Sequence, residues 1–224
     1  MLDRVRLRNI LTRNGGDPNA EFTAGVPLIV YAAKHRFLDQ VTHLLSLGAD
    51  VNLQDYHGES ALMYASENGD DEMIQLLQAT GEVDVNAQND DGETSLIKAS
   101  NLGLASSVSN LLPWGVDVNH MDSHRMTALM YASSNGYVEV VRLLLKTGRT
   151  NINIQDMHGS TALTHATNGD HYEIVKLILE TGKVDATMIS LAPPPPASQA
   201  DEEDGGGADE EDDYYDSEED GWRF

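Results

Sequence analysis

Residues 58–86 read GESALMYASENGDDEMIQLLQATGEVDVN, and this stretch decides the fold because it returns in register along the chain. It recurs as GETSLIKASNLGLASSVSNLLPWGVDVN at 92–119, as RMTALMYASSNGYVEVVRLLLKTGRTNIN at 125–153 and as GSTALTHATNGDHYEIVKLILETGKVDAT at 159–187. A weaker copy, GVPLIVYAAKHRFLDQVTHLLSLGADVN, precedes them at 25–52. The aligned residues Ile29, Leu62, Leu96, Leu129 and Leu163 lie 33, 34, 33 and 34 apart, and each 34 comes from one extra residue in TGEVDVN or TGRTNIN. A period of this length marks a stacked array of small units, none of which can bury its apolar side alone.

Two short helices and a turn account for one unit. The first helix is predicted to start at Ser60, Thr94, Thr127 and Thr161, whose hydroxyls can accept from amides that a helix start leaves unpaired. It carries Ala32, Ala65, Ala99, Ala132 and Ala166 at one aligned position, small side chains that let stacked helices approach closely. Gly69, Gly103 and Gly136 end it where a left-handed backbone is wanted. The second helix shows apolar residues at helical spacing, as at Val140, Val141, Leu143, Leu144 and Leu145, and is expected to supply the core. Gly48, Gly81, Gly115, Gly148 and Gly182 stop it and lead through an Asp-apolar-Asn and Asp-x-x-Gly turn to the next unit.

These residues resemble the ankyrin repeats, whose pattern runs Gly-x-Thr-Pro-Leu-x-x-Ala-Ala, Gly-His, a Val-Val-x-Leu-Leu-Leu helix and Gly-Ala-Asp-Val-Asn. The likeness covers roughly residues 5–190. It implies an all-α ankyrin-repeat solenoid with β-hairpin-like turns, in which residues 1–24 form an N-terminal capping half-repeat. Five repeats follow near 25–57, 58–91, 92–124, 125–158 and 159–192, and residues 193–224 are left as a tail. Departures from the pattern carry expectations of their own. Ser107, Asn110 and Pro113 are expected to weaken repeat three; Arg36, Arg125 and Asp170 stand where glycine belongs and put the turn geometry there in doubt. The apolar second helix of repeat five needs a cover, either Met188, Ile189 and Leu191 or a partner.

The resemblance implies a non-catalytic module that holds a protein or peptide on a concave face built from the first helices, and on the projecting turns. On the first helices, the position two after the aligned Leu or Ile holds Tyr31, Tyr64, Lys98, Tyr131 and His165. The turns add Tyr56, His57, Asp90, Asp91, Ser123, His124, Met157 and His158. Three tyrosines in one stripe give large contact area at low entropy cost, although packing between adjacent helices would also use them. Asn52, Asn86, Asn119 and Asn153 match the turn asparagine of the family, for which a bracing role is implied. The resemblance further implies asparagine hydroxylation at Asn52 and Asn119, with Leu44 and Leu111 eight residues upstream.

Composition narrows the partner. The 224 residues carry 14 Lys+Arg against 37 Asp+Glu, a formal net charge of -23, and no Cys. The missing Cys excludes disulfides and thiolate chemistry, and the acidic balance argues against direct nucleic-acid binding, which rests on neutralising phosphates. Residues 193–224 hold 13 Asp/Glu and one basic residue, Arg223. That tail opens on Pro193 to Pro196, a stiff spacer, and its self-repulsion and few apolar side chains predict disorder. Ser217, ahead of Glu218, Glu219 and Asp220, has the surroundings of an acid-directed kinase site. The basic cluster Arg4, Arg6, Arg8 and Arg13 reads as the outer face of the cap. Charged residues from Asp3 onward and the lack of a long apolar run predict a soluble intracellular chain, cytoplasmic or nuclear, and a monomer with no membrane contact.

No His-Glu-x-x-His helix, phosphate-cradling Gly loop or Gly-x-Ser-x-Gly elbow occurs, so no enzyme, cofactor or metal role is read. The turn histidines His57, His124 and His158 are expected to face solvent. The reading is a protein-binding module whose partner carries a basic patch. Two other roles keep the same fold: a regulatory inhibitor whose acidic tail competes for a basic, nucleic-acid-binding surface of its partner, and a substrate adaptor in protein turnover.

Overall fold

The hydroxyls that the sequence offers as helix caps are used as such. Ser60, Thr94, Thr127 and Thr161 each accept from the amide three residues on, at 3.3, 3.4, 3.3 and 3.3 Å. The computed structural model describes residues 2–185. It begins with α1 (Leu2–Arg13) and a small antiparallel hairpin, β1 (Glu21–Thr23) with β2 (Val26–Pro27). Five helix pairs follow: α2 (Leu28–Lys34) with α3 (Leu38–Ser46), α4 (Ala61–Glu67) with α5 (Asp71–Gln78), α6 (Ser95–Asn101) with α7 (Ala105–Leu111), α8 (Ala128–Ser134) with α9 (Val138–Lys146), and α10 (Ala162–Asn168) with α11 (Tyr172–Glu180). The first helices pack in one row, α2 to α4 to α6 to α8 to α10, and the second helices in another, α3 to α5 to α7 to α9 to α11. This is the all-α repeat architecture that the sequence predicts. The tail at 193–224, including Ser217, and the segment holding Met188, Ile189 and Leu191 lie outside the described residues.

The core runs between the rows. Ala32, Ala65, Ala99, Ala132 and Ala166 are all fully buried, so the first helices meet along a seam of methyl groups. Ile29, Leu62, Leu96, Leu129 and Leu163 are buried beside them, and the second helices add Met73, Ile74, Leu77, Val140, Val141, Leu144, Ile174 and Ile178. In repeat five, Tyr172 and Leu179 are 47% and 45% exposed, because no further described helix pair packs on α11.

The three residues that stand in place of glycine keep the glycine backbone. Arg36, Arg125 and Asp170 have φ of 59°, 60° and 57°, matching Gly69 at 63° and Gly103 at 70°. Stacking therefore imposes the left-handed conformation on L-residues, at a cost of about 1–2 kcal/mol each. Gly58 has no such latitude: with φ 74°, a Cβ there would lie 2.9 Å from Asn89 Cα in the next turn.

Repeat three answers its polar residues with polar partners. Ser107 is fully buried, and its hydroxyl donates to Asp71 Oδ1 at 3.2 Å; Ser106 donates to the other oxygen of Asp71. Buried Gln78 donates through Nε2 to the backbone carbonyl oxygen of Asn110 at 3.2 Å. Pro113 sits inside a single 3-10 turn, Leu112–Trp114, that takes over as α7 ends, so its missing N–H breaks no helical ladder.

Asparagines tie unit to unit. Asn52 donates to the Glu82 carbonyl at 2.9 Å and accepts from Asp84 N at 2.7 Å; Asn119 does the same with the Arg149 carbonyl at 3.0 Å and Asn151 N at 2.7 Å. Asn86 and Asn153 repeat the pattern, and Asn19 starts it by accepting from Asp50 N at 2.8 Å. The bracing that the resemblance implies thus runs to the following unit.

Candidate functional site

A carboxylate in the turn between units organises the face that the first helices present. In the turn that leads into repeat two, Asp55 Oδ1 accepts from His57 N at 2.9 Å and Glu59 N at 3.0 Å, which closes the turn. Its Oδ2 accepts from the Tyr64 hydroxyl at 2.8 Å. Asp122 accepts in the same way from His124 N, Met126 N and the Tyr131 hydroxyl at 2.9, 2.9 and 2.6 Å. Asp156 accepts from His158 N, Ser160 N and His165 Nε2 at 2.8, 2.9 and 2.9 Å. One side chain thus joins the turn to the helix residue nine positions on.

The latch sets the electrostatics of the stripe. Burial, reinforced by the hydrogen bond to Asp55 or Asp122, pushes the Tyr64 and Tyr131 hydroxyls far above the ordinary phenol range, so they remain donors. Burial of Asp156 favours its neutral form, but the Ser160 and His158 amides and His165 outweigh that and hold the carboxyl below its ordinary value.

Repeats one and three vary the theme. Nine residues before Tyr31 stands Phe22, and the two rings stack with centroids 3.7 Å apart and planes 14° from parallel. In the turn that leads into repeat three the residue is Asn89, whose Oδ1 still accepts from Asp91 N and Glu93 N at 3.1 and 2.8 Å. Its Nδ2 is a donor where the aspartates have an acceptor, and it turns to Glu59 Oε1 at 2.9 Å and Glu93 Oε2 at 3.0 Å. Nine residues on, a tyrosine would not find on Asn89 the second acceptor oxygen that Asp55 and Asp122 offer. Lys98 stands there, with Nζ 2.7 Å from Glu59, 3.5 Å from Glu67 and 3.7 Å from Glu93. Burial works against its charge, and the three carboxylates overcome that and raise its pKa.

The stripe Tyr31, Tyr64, Lys98, Tyr131 and His165 is therefore brought onto one face, but as members of the turn-to-helix joints. Tyr64 is only 8% exposed, and Lys34 lies over it, with Nζ 4.7 Å from the ring centre and 3.1 Å from the hydroxyl. The turn residues stand differently: His57, Asp90, Asp91, Ser123, His124 and His158 are exposed, with Tyr56 and Met157 at 62% and 57%. Backbone hydrogen bonds stitch these tips into an edge, from Asp90 N to His57 O at 3.0 Å, Ser123 N to Asp91 O at 2.9 Å and Met157 N to His124 O at 3.3 Å. Between the last two turns a cleft of about 320 Å³ is lined by His124, Met126, Tyr131, Asp156, Met157, His158 and His165. His124 and His158 share that cleft, yet among the described residues no three His, Asp or Glu converge to hold a metal ion.

Sequence reasoning missed the acceptors, namely Asp55, Asn89, Asp122 and Asp156, and the carboxylates Glu59, Glu67 and Glu93. The signal that could have found them is the fixed interval of nine residues, with Asp before Tyr or His and Asn before Lys. No described helix is long and apolar enough to cross a membrane.

Comparison with known proteins places this geometry. A family model described as ankyrin repeats (3 copies) matches residues 28–122 and 99–188. The Neurogenic locus notch homolog protein 2 of Homo sapiens is 36% identical over 117 residues, which are 52% of this chain and 5% of that protein. The Neurogenic locus notch homolog protein 1 of Mus musculus is 32% identical over 117 residues, again 52% of this chain and 5% of the relative. The B-cell lymphoma 3 protein homolog of Mus musculus is 37% identical over 105 residues, 46% of this chain and 23% of that protein. This chain spans less than a quarter of the length of each of these relatives. On the family model, which covers the five helix pairs and the turns between them, the chain belongs to the ankyrin-repeat family.

Proposed function

We propose that the chain is a non-catalytic protein-binding module that takes a protein or peptide along the turn edge and the first-helix face. Ankyrin repeats are a protein–protein interaction module, and the observation that carries the finer reading is the stitched row of turn tips. Their side chains differ from unit to unit while the backbone beneath is fixed by hydrogen bonds to the preceding turn. A surface that is ordered before binding loses little entropy on docking. Tyr56, His57, Asp90, Asp91, Ser123, His124, Met157 and His158 are the contact residues on this reading, with Tyr31, Tyr64, Lys98, Tyr131 and His165 as the floor that supports them. The surplus of carboxylates on this face supports a partner with a basic patch.

Truncating Tyr64 or Tyr131 would test the wrong thing, since either change strips a turn carboxylate of its donor. The discriminating experiment installs a photo-crosslinking residue singly at Tyr56, Asp90, Ser123 or Met157, and as a control at Glu139 or Lys176 on the second helices. Partner adducts should form from the turn edge. Adducts confined to Glu139 and Lys176 would overturn the assignment of the face. Removing residues 193–224 asks separately about the inhibitor role: a module that binds by its turn edge keeps its partner, whereas an inhibitor working through its tail loses its effect.

A further inference from the structure

The junction of repeats two and three holds one cation among three carboxylates. Lys98 Nζ lies 2.7 Å from Glu59, 3.5 Å from Glu67 and 3.7 Å from Glu93, which leaves a formal surplus of two negative charges. The donors are unevenly shared. Glu59 Oε1 takes both Lys98 and Asn89 Nδ2, while Glu59 Oε2 is buried with no hydrogen-bond partner among the described residues, on a residue only 8% exposed. A buried carboxylate oxygen without a donor is a standing deficit, and a second cation that takes over Glu67 and Glu93 leaves Lys98 to Glu59 alone. The surplus charge opens outward, because the Glu93 and Glu67 side chains are 21% and 43% exposed. Asp90 and Asp91 stand exposed on the adjoining turn and deepen the negative potential. Lys34, the cation of repeat one on this face, is committed to the ring and hydroxyl of Tyr64.

We propose that this junction is the receptor for a single arginine side chain of the protein partner, with Glu67 and Glu93 taking the guanidinium and Lys98 left to Glu59. The inference rests on the protein-binding reading above and adds the chemistry of one contact. Arginine fits better than lysine because a planar fork of donors can serve two separate carboxylates, whereas a second ammonium would duplicate the point charge of Lys98. The three carboxylates and two cations would then alternate in sign.

A random-peptide display selection on the full chain supplies the probe, with binding measured by fluorescence anisotropy. Selected peptides should share one fixed arginine. Its replacement by alanine should weaken binding to the wild-type chain about tenfold or more, and binding to the E67Q/E93Q chain by less than about twofold. Because E67Q/E93Q removes two partners of Lys98, the single change Glu67→Lys at an exposed side chain provides a second arm. It should turn the selection away from arginine and toward an acidic residue at that position. Peptides that bind the turn edge without a fixed basic residue, or an equal loss on both chains, would overturn the inference and leave the binding reading standing. Failure of Tyr56→Ala and Met157→Ala to weaken any selected peptide would overturn the binding reading, and this inference with it.

Discussion

Tyr131 shows how much one side chain can decide. Its hydroxyl completes Asp122, whose other oxygen already takes two backbone amides. Tyr131→Phe should leave Asp122 Oδ2 short of a donor and cost about 1–3 kcal/mol, read as a lower urea midpoint with an unchanged slope. Repeat five uses a histidine in the same place, and there acid matters. The folded-state pKa of Asp156 is lowered, so its contribution is fully present above the ordinary carboxylate value of about 3.9 and is lost as pH falls through the lower, folded-state value. The drop in thermal midpoint between pH 5 and pH 3 should therefore shrink in Asp156→Asn; an identical acid profile in that variant would remove Asp156 from the account. Arg125 offers a test in the stabilising direction. At φ 60° it carries the strain of the left-handed region, so Arg125→Gly should raise stability by about 0.5–1 kcal/mol, net of the extra freedom of glycine in the unfolded chain. Arg36 is a poorer site for the same test, since it also bridges to Asp70 at 3.2 Å.

Among elements, spacing is set by what lies between the first helices. Ala132 is fully buried in the seam between neighbouring first helices, and Ala132→Leu should cost about 1–3 kcal/mol by forcing those helices apart. Leu129→Ala, the opposite error, should cost about 2–5 kcal/mol by opening a cavity. Both are read from denaturant midpoints. The asparagine ladder couples units in another way. Asn119→Ala removes a donor to the Arg149 carbonyl and an acceptor for Asn151 N, so amide exchange should rise at the turn near 149–151 and leave the turn near 82–84 protected. Equal exchange at both turns would mean that the ladder does not act unit by unit.

For the whole molecule, the net charge of -23 and the carboxylate-rich face have one consequence for association. Raising salt from low to physiological strength should slow partner association far more than it speeds dissociation, because steering is screened within about 8–10 Å. Stopped-flow mixing with a selected arginine peptide measures it, and a salt-independent association rate would exclude a basic partner surface.

Periodicity fixed the repeat, the caps, the alanine seam and the places where the chain must turn, because each depends on residues within one unit and on spacing along one helix. Thr127 could be read as a cap without knowing what α8 packs against. Whether Tyr64 is a free contact or a spent one could not be read that way, since it depends on Asp55 in the preceding turn and on Lys34 of the neighbouring unit, 30 residues away. The same holds for Lys98, whose shortest ion pair reaches back 39 residues to Glu59. Arg36 and Asp170 looked like broken turns by composition, yet stacking holds them in the backbone that glycine prefers. Local hydrogen bonds and helical spacing are written into adjacent residues; burial, the pairing of charges across units and the strain a residue must accept are properties of neighbours that only the stacked units bring together.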